Sequence, residues 1–222
     1  MKRRLGLFAL LLLAACSTAP QNPDDEFAAR DPWESINRPI FDFNVEADRY
    51  VIRPVSQGYH YLPDVVRYGI GNFLTNLTEP QNTLNSFLQL DFQAGGTSLF
   101  RFILNSTFGL GGLRDFAGEN GLKYNDQGFS KTLGRYGVDT GPYVVVPLAG
   151  PSDVRGTVGY VVDWFTDPMD FVLTTPESIA EMGVSAIAER DDDKDVIDQF
   201  YYESLEPYSA SRAAYLQHQA FQ

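Results

Sequence analysis

The sequence predicts one mostly helical domain that carries a single Gly/Pro-rich, hairpin-like loop. Three observations lead there. From Trp33 onward, apolar residues recur at helical spacing in one segment after another. The short run Tyr143 to Val146 differs: Pro142 and Pro147 bracket it and Gly137, Gly141 and Gly150 serve as joints, so it reads as a hairpin-like loop, not a sheet. No repeat and no second core interrupt the chain, whose 222 residues suit one domain.

Residues 1–15 read as a signal peptide. Lys2, Arg3 and Arg4 are followed by the apolar run Leu5 to Leu13, too short for the ~20 residues that a spanning helix takes. Small residues Ala14 and Ala15 then lead into Cys16, the only cysteine, which therefore forms no internal disulfide. Leu13-Ala14-Ala15-Cys16 looks like a bacterial lipobox, so Cys16 is expected to carry acyl chains such as palmitate; an ordinary secretory signal cut before a cysteine is the alternative. At ~0.8 kcal/mol per buried methylene, a doubly or triply acylated cysteine is a stable anchor. Ser17 favours the outer membrane, since Asp there would resemble an inner-membrane retention signal. Residues 16–30 are polar and contain Pro20, Pro23, Asp24, Asp25 and Glu26, the composition of a flexible tether. The folded domain is expected over 31–222.

Within it, Ile36, Ile40, Phe43, Ala47, Tyr50 and Val51 place one apolar stripe on a first amphipathic helix, which Arg53-Pro54 should interrupt. Pro63 suits the first turn of a second helix with Val66, Ile70, Phe73, Leu74 and Leu77 on one side. Glu79-Pro80 should close it, and Leu84, Phe87 and Leu88 mark another. The segment from Gly95 to Leu113 leaves no wide polar face. A helix apolar nearly all round is buried in a core or faces lipid, and the core is the default reading. Gly109, Gly111 and Gly112 end it, and 117–131 is loop-like. After the hairpin, Ser152 is placed to cap a helix through Val161, and Asp167-Pro168 makes a turn. Pro176 to Glu189 is helical, the DDDKD run is a solvated junction, and a last helical stretch runs from Val196 to Leu205 and on from Tyr208 to Gln217.

Composition and motifs narrow the function. Without its signal the chain carries 14 Lys and Arg against 29 Asp and Glu, a net charge near −15. That is no footprint for nucleic acid and no polybasic membrane binder. Membrane contact beyond the anchor would need apolar surface, and a 14% aromatic content allows it. There is no G-x-S-x-G, H-E-x-x-H or S-x-x-K motif, and His60 and His218 lie in no nucleophile or metal pattern. Tyr-flanked His60 reads as a partly buried packing residue. Asp191, Asp193 and Asp195 imitate a calcium loop, but Val196 stands where Gly is needed and Tyr202 where Glu is needed. No enzyme, metal or cofactor is expected.

The motif DPWESINRPIFDFN, residues 31–44, resembles the opening of the MlaA/VacJ family of outer-membrane lipoproteins. The likeness continues through VIRPVSQGY, GIGNFLTNLTEPQNTLNSFLQ, FRFILNSTFGLGGLRDFA, KTLGRYGVDTGPYVVVPLAGPSDVR and EPYSASRAAYLQ, in the family's order, to about Gln217. Ser35, Ser130 and Gly156 depart from the family's usual Pro, Gly and acidic residue. The resemblance implies a ring of amphipathic helices in the inner leaflet of the outer membrane, around a central pore. It also implies retrieval of mislocalised phospholipids from the outer leaflet, transfer to a soluble periplasmic carrier, and association with trimeric porins. The competing reading is a structural or adaptor lipoprotein on porins, without its own channel; an envelope hydrolase is a third, and the missing motifs count against it.

Besides Cys16, two groups of candidate site residues emerge. Arg101 and Asn105, spaced i, i+4 in the apolar helix, are candidate channel or headgroup contacts, though Arg101 could equally pair with an acid. Gly137, Gly141, Pro142, Tyr143 and Gly150 form a candidate gate loop, because glycine joints lower the cost of moving a segment; a rigid turn is the alternative.

Overall fold

The computed structural model describes residues 30–220, excluding the Ala220 side chain; the expected signal peptide, Cys16 and nearly all of the expected tether lie outside that range. Ten α-helices and one β-hairpin make up the described domain: α1 (Glu34–Ala47), α2 (Arg53–His60), α3 (Asp64–Leu88), α4 (Phe92–Thr107), α5 (Phe116–Glu119), α6 (Phe129–Arg135), β1 (Tyr143–Val146), β2 (Gly150–Asp153), α7 (Val154–Thr166), α8 (Thr175–Asp192), α9 (Lys194–Asp198) and α10 (Pro207–Ala220). The expected mostly helical single domain is what forms.

Neither Pro54 nor Pro80 interrupts the helical run where the sequence places a break. A π turn over Asp48–Ile52 links α1 to α2, with the Arg53 N–H reaching back five residues to the Asp48 carbonyl. This widened turn brings Pro54 into the first turn of α2, where a missing N–H costs little. Pro80 sits inside the 25-residue α3. Buried side chains on either side of it, Asn76 and Glu79 before and Asn82 after, bond to other elements and hold the helix through the lost backbone bond.

The hairpin is a true two-stranded antiparallel sheet, with Tyr143 opposite Asp153 and Val146 opposite Gly150. The expectation of a loop without a sheet is thus corrected. Pro142 precedes β1, Pro147 lies in the turn, and Pro151 lies on a strand with one free edge, so no proline removes a ladder bond. The helix after it is capped by Asp153, whose carboxylate accepts from the Gly156 N–H at 2.6 Å, rather than by Ser152, one residue earlier. Residues 117–131 hold the end of α5 and the start of α6 as well as loop.

A small apolar core lies between α1, the hairpin and α10: Phe41, Val45, Tyr143, Val145, Tyr208 and Leu216. Phe41 meets the Tyr201 and Tyr208 rings edge-on at 5.4 and 5.5 Å, a favoured aromatic geometry. Elsewhere, apart from Ala117, Met169 and Ala188, the buried side chains of the described residues are polar.

Candidate functional site

The helices are turned opposite to the reading that apolar stripes face a core. On α1 and the π turn, Glu34, Asn37, Asn44 and Asp48 are buried, whereas Phe43, Tyr50 and Val51 of the predicted stripe are exposed. On α3, Asn76, Glu79, Asn82, Asn85 and Ser86 point inward while Val66 and Phe73 face out. On α4, Gly95, Ser98, Arg101 and Asn105 are inside, and Leu99, Phe100 and Ile103 are outside. The default placement of this segment in a core is therefore overturned. Among the described residues, twenty-one polar or charged residues are buried against nine apolar ones, and thirty-six large apolar or aromatic residues are exposed. Monomers that live in water rarely expose large contiguous apolar surface, because each Leu or Phe forgoes ~1.5–3 kcal/mol of burial. No described helix is long and apolar enough to cross a membrane.

Four networks join many of the buried polar groups. The first joins α3, α4 and α5. Arg101, 1% exposed, bonds Glu79 and the Leu122 carbonyl and lies 3.1 Å from Asp115. Asn105 donates to Asp115 at 2.9 Å and accepts from the Ala117 N–H at 2.8 Å. Burial pushes the Glu79 carboxyl above its usual range, against the pull of Arg101. Burial acts likewise on Asp115, but the Gly118 N–H, Asn105 and Arg101 outweigh it and hold that carboxyl low. Arg101 and Asn105 are thus held in a closed internal network.

The second network ties α3 to α6 and α7. Asp163 accepts from Asn85 at 2.9 Å and from the Phe129 N–H at 2.8 Å, and Thr132 donates to Asn85. The third joins the first motif of the domain to its last helix. Arg212 pairs with Asp31 at 2.7 Å and with Glu34 at 3.1 Å, and Tyr208 donates to Asp31. Burial, then that carboxylate, raise the Tyr208 hydroxyl's pKa, so it stays a donor. The fourth joins the π turn to α8 and to the turn that follows α9: Arg190 holds Asp48 through a two-pronged contact at 2.8 and 3.1 Å, and Tyr202 donates to the same carboxylate at 2.7 Å. Beside it, Asp191 takes His60 at 2.8 Å and Arg67 at 2.7 Å. His60 is accordingly an exposed hydrogen-bond partner of Asp191 and not a packing residue, and Asp191 is a buried anchor within the run expected to be a solvated junction.

The gate candidates divide. Gly137 and Gly141 lie in an exposed loop with left-handed φ values of 82° and 73°. Tyr143 and Gly150 are buried, Pro142 is half-buried, and β1 is clamped from α1. Asn37 donates to the Tyr143 carbonyl at 3.1 Å and accepts from the Val145 N–H at 3.0 Å. One turn-pair further on, Asn44 donates to the Val146 carbonyl at 2.9 Å and accepts from the Leu148 N–H at 2.7 Å. Two asparagines seven residues apart therefore stand in for a third strand. The polar stripe Glu34–Asn37–Asn44–Asp48 has the same helical spacing as the apolar one, and reading it as the inward face would have found the clamp. No group of three or more potential metal ligands occurs among the described residues.

These features define a helical protein of inverted polarity, polar within and apolar without, built for a surface that meets lipid. A family model described as MlaA lipoprotein matches residues 29–222, and the chain belongs to that family. It is 36% identical to the intermembrane phospholipid transport system lipoprotein MlaA of Escherichia coli K12, an alignment covering all of this chain and 89% of that protein. The Haemophilus influenzae protein of the same name is 32% identical, with all of this chain and 91% of the relative covered. A solved structure, "Structural basis for maintenance of bacterial outer membrane lipid asymmetry", superposes with a TM-score of 0.73 at 38% identity, covering 86% of this chain and 98% of the other. None of these is described as an enzyme.

Proposed function

We propose that this chain is an outer-membrane lipoprotein, anchored on the periplasmic side through Cys16, that removes mislocalised phospholipids from the outer leaflet and passes them to a soluble periplasmic carrier. The observation that carries the proposal is the inverted polarity: exposed side chains such as Phe43, Tyr50, Phe100 and Phe171 lie outside, and hydrogen-bonded carboxylates, amides and guanidiniums lie inside. Since no described helix can cross a bilayer, the apolar exterior belongs in one leaflet, as a ring of helices around a central polar path. Along such a path a phospholipid keeps its headgroup among polar groups and its acyl chains against apolar ones. The names of the relatives support transport between membranes, and the solved relative supports a role in outer-membrane lipid asymmetry. Phospholipid is the transported ligand, with no other cofactor. Trimeric porins and the periplasmic carrier are the proposed partners.

One observation favours a second reading, an adaptor that holds porins without its own channel. Arg101 and Asn105 are spent on internal bonds, as in a rigid brace. We assign them a positioning role in either case. Outer-leaflet phospholipid in cells lacking the gene separates the two. It rises and returns to the parent level on re-expression if the protein transports lipid; an unchanged level leaves the adaptor.

A further inference from the structure

Charge pairing within the domain is uneven. Fourteen Lys and Arg are described, and nine of them form ion pairs with carboxylates. In so acidic a chain, cations without such partners stand out. Three of the remaining five, Arg30, Arg135 and Arg155, lie around the exposed loop 136–141. Arg155 donates to the Val138 carbonyl at 2.9 Å, and its backbone N–H donates to the Thr140 carbonyl at 3.0 Å. Arg30 also reaches this loop, donating to the Thr140 hydroxyl at 3.3 Å. The Arg155 guanidinium packs on Gly134, where an added Cβ would stand 3.0 Å from Nη1, and Arg135 is the next residue, the last of α6.

One further observation marks an unfilled demand for negative charge. Arg155 lies in the first turn of α7, at the positive end of the helix dipole, where a cation is disfavoured and an anion welcome. The nearest carboxylate in sequence, Asp153, is spent on the Gly156 N–H and on the Tyr215 hydroxyl at 2.8 Å. Asp139, the loop's own acid, makes no ion pair among the described residues.

We infer that Arg30, Arg135 and Arg155 form a phosphate site that takes the headgroup phosphodiester of a glycerophospholipid, beside the loop flanked by Gly137 and Gly141. The inference rests on the transport reading and adds to it the place where the headgroup is held. An arginine fork suits a phosphate through paired charge-assisted bonds, which a lysine supplies only as a point charge.

The test titrates the full-length protein, purified in detergent, with three probes: dihexanoyl-phosphatidylglycerol, the corresponding diacylglycerol without phosphate, and inorganic phosphate. Variants are Arg135→Gln, which breaks no described bond, and Arg155→Lys, which keeps the charge. The phospholipid is expected to bind, the phosphate-free lipid to bind at least about tenfold more weakly, and each variant to lose about five- to tenfold in affinity for the phospholipid, Arg135→Gln at an unchanged melting temperature. Variants that bind the phospholipid like the parent overturn the site while leaving transport standing. A parent that binds no phospholipid overturns the transport reading along with the site. Inorganic phosphate binding as tightly as the lipid, with the same loss in the variants, overturns the headgroup assignment in favour of free phosphate.

Discussion

Replacing Asn37 by alanine tests whether buried amides, rather than apolar contacts, hold the hairpin to α1. Asn37 is 1% exposed and makes three bonds, to Asp31 at 2.8 Å, to the Tyr143 carbonyl and from the Val145 N–H. Alanine leaves the two backbone groups unpaired in residues that are 0% and 1% exposed. An abandoned buried group costs ~1–3 kcal/mol, so two of them, with some relaxation, give about 3 kcal/mol. At ~2–4 °C per kcal/mol for a domain of this size, the melting temperature falls by about 6–12 °C. Asn37→Asp keeps the acceptor for Val145 but faces Asp31 with a second carboxylate, and is expected to fall comparably. The assay is thermal unfolding of the full chain in detergent, followed by circular dichroism. A change below about 0.5 kcal/mol in Asn37→Ala would refute the reasoning, because the strand edge would then be satisfied without the amide.

The other predictions concern charge and anchor. Arg101→Ala strands the Glu79 carboxylate in the α3–α4 seam and is expected to cost about 3–5 kcal/mol, with much of the loss recovered when Glu79→Gln is added; equal melts for the single and double variants would contradict this. Asp115 is held below its ordinary carboxyl range, so it contributes stability that is present above the unfolded pKa and lost as pH falls through the lower folded value. Below about pH 4 the parent should therefore lose stability more steeply than Asp115→Asn, and parallel acid limbs would count against it. Cys16→Ala should shift the protein from the membrane fraction toward the soluble one on cell fractionation, and unchanged sedimentation would argue against acylation as the anchor.

Much of this architecture was legible in the sequence. The 3.6-residue rhythm locates α1, α3, α4 and α8, the paired prolines and glycines locate the hairpin, and the ordered motifs locate the family. What periodicity could not supply is the sign of the environment: the same stripe of Ile36, Phe43 and Tyr50 marks an inward face in water and an outward face in lipid. Hence periodicity alone assigns the apolar segment around Phe100 to a core, whereas its polar side, Ser98-Arg101-Asn105, is the buried one. Pro54 and Pro80 misled for a different reason. A local rule about a missing N–H yields to a π turn in one case and to tertiary bonds through Asn76, Glu79 and Asn82 in the other. Long-range pairs such as Asp31–Arg212 and Asp48–Arg190 leave no local signature at all.

The central claim is that the apolar exterior lies among acyl chains. Trp164 sits on that exterior, beside Phe165 at a ring distance of 5.1 Å, and Trp33 is the only other tryptophan. The measurement is the fluorescence of Trp33→Phe protein, reconstituted in bilayers whose acyl chains carry bromine. Strong quenching of Trp164 by the brominated chains, together with weak quenching by aqueous acrylamide, is the predicted result. The reverse pattern, acrylamide quenching without an effect of bromine, would place this surface in water and contradict the account.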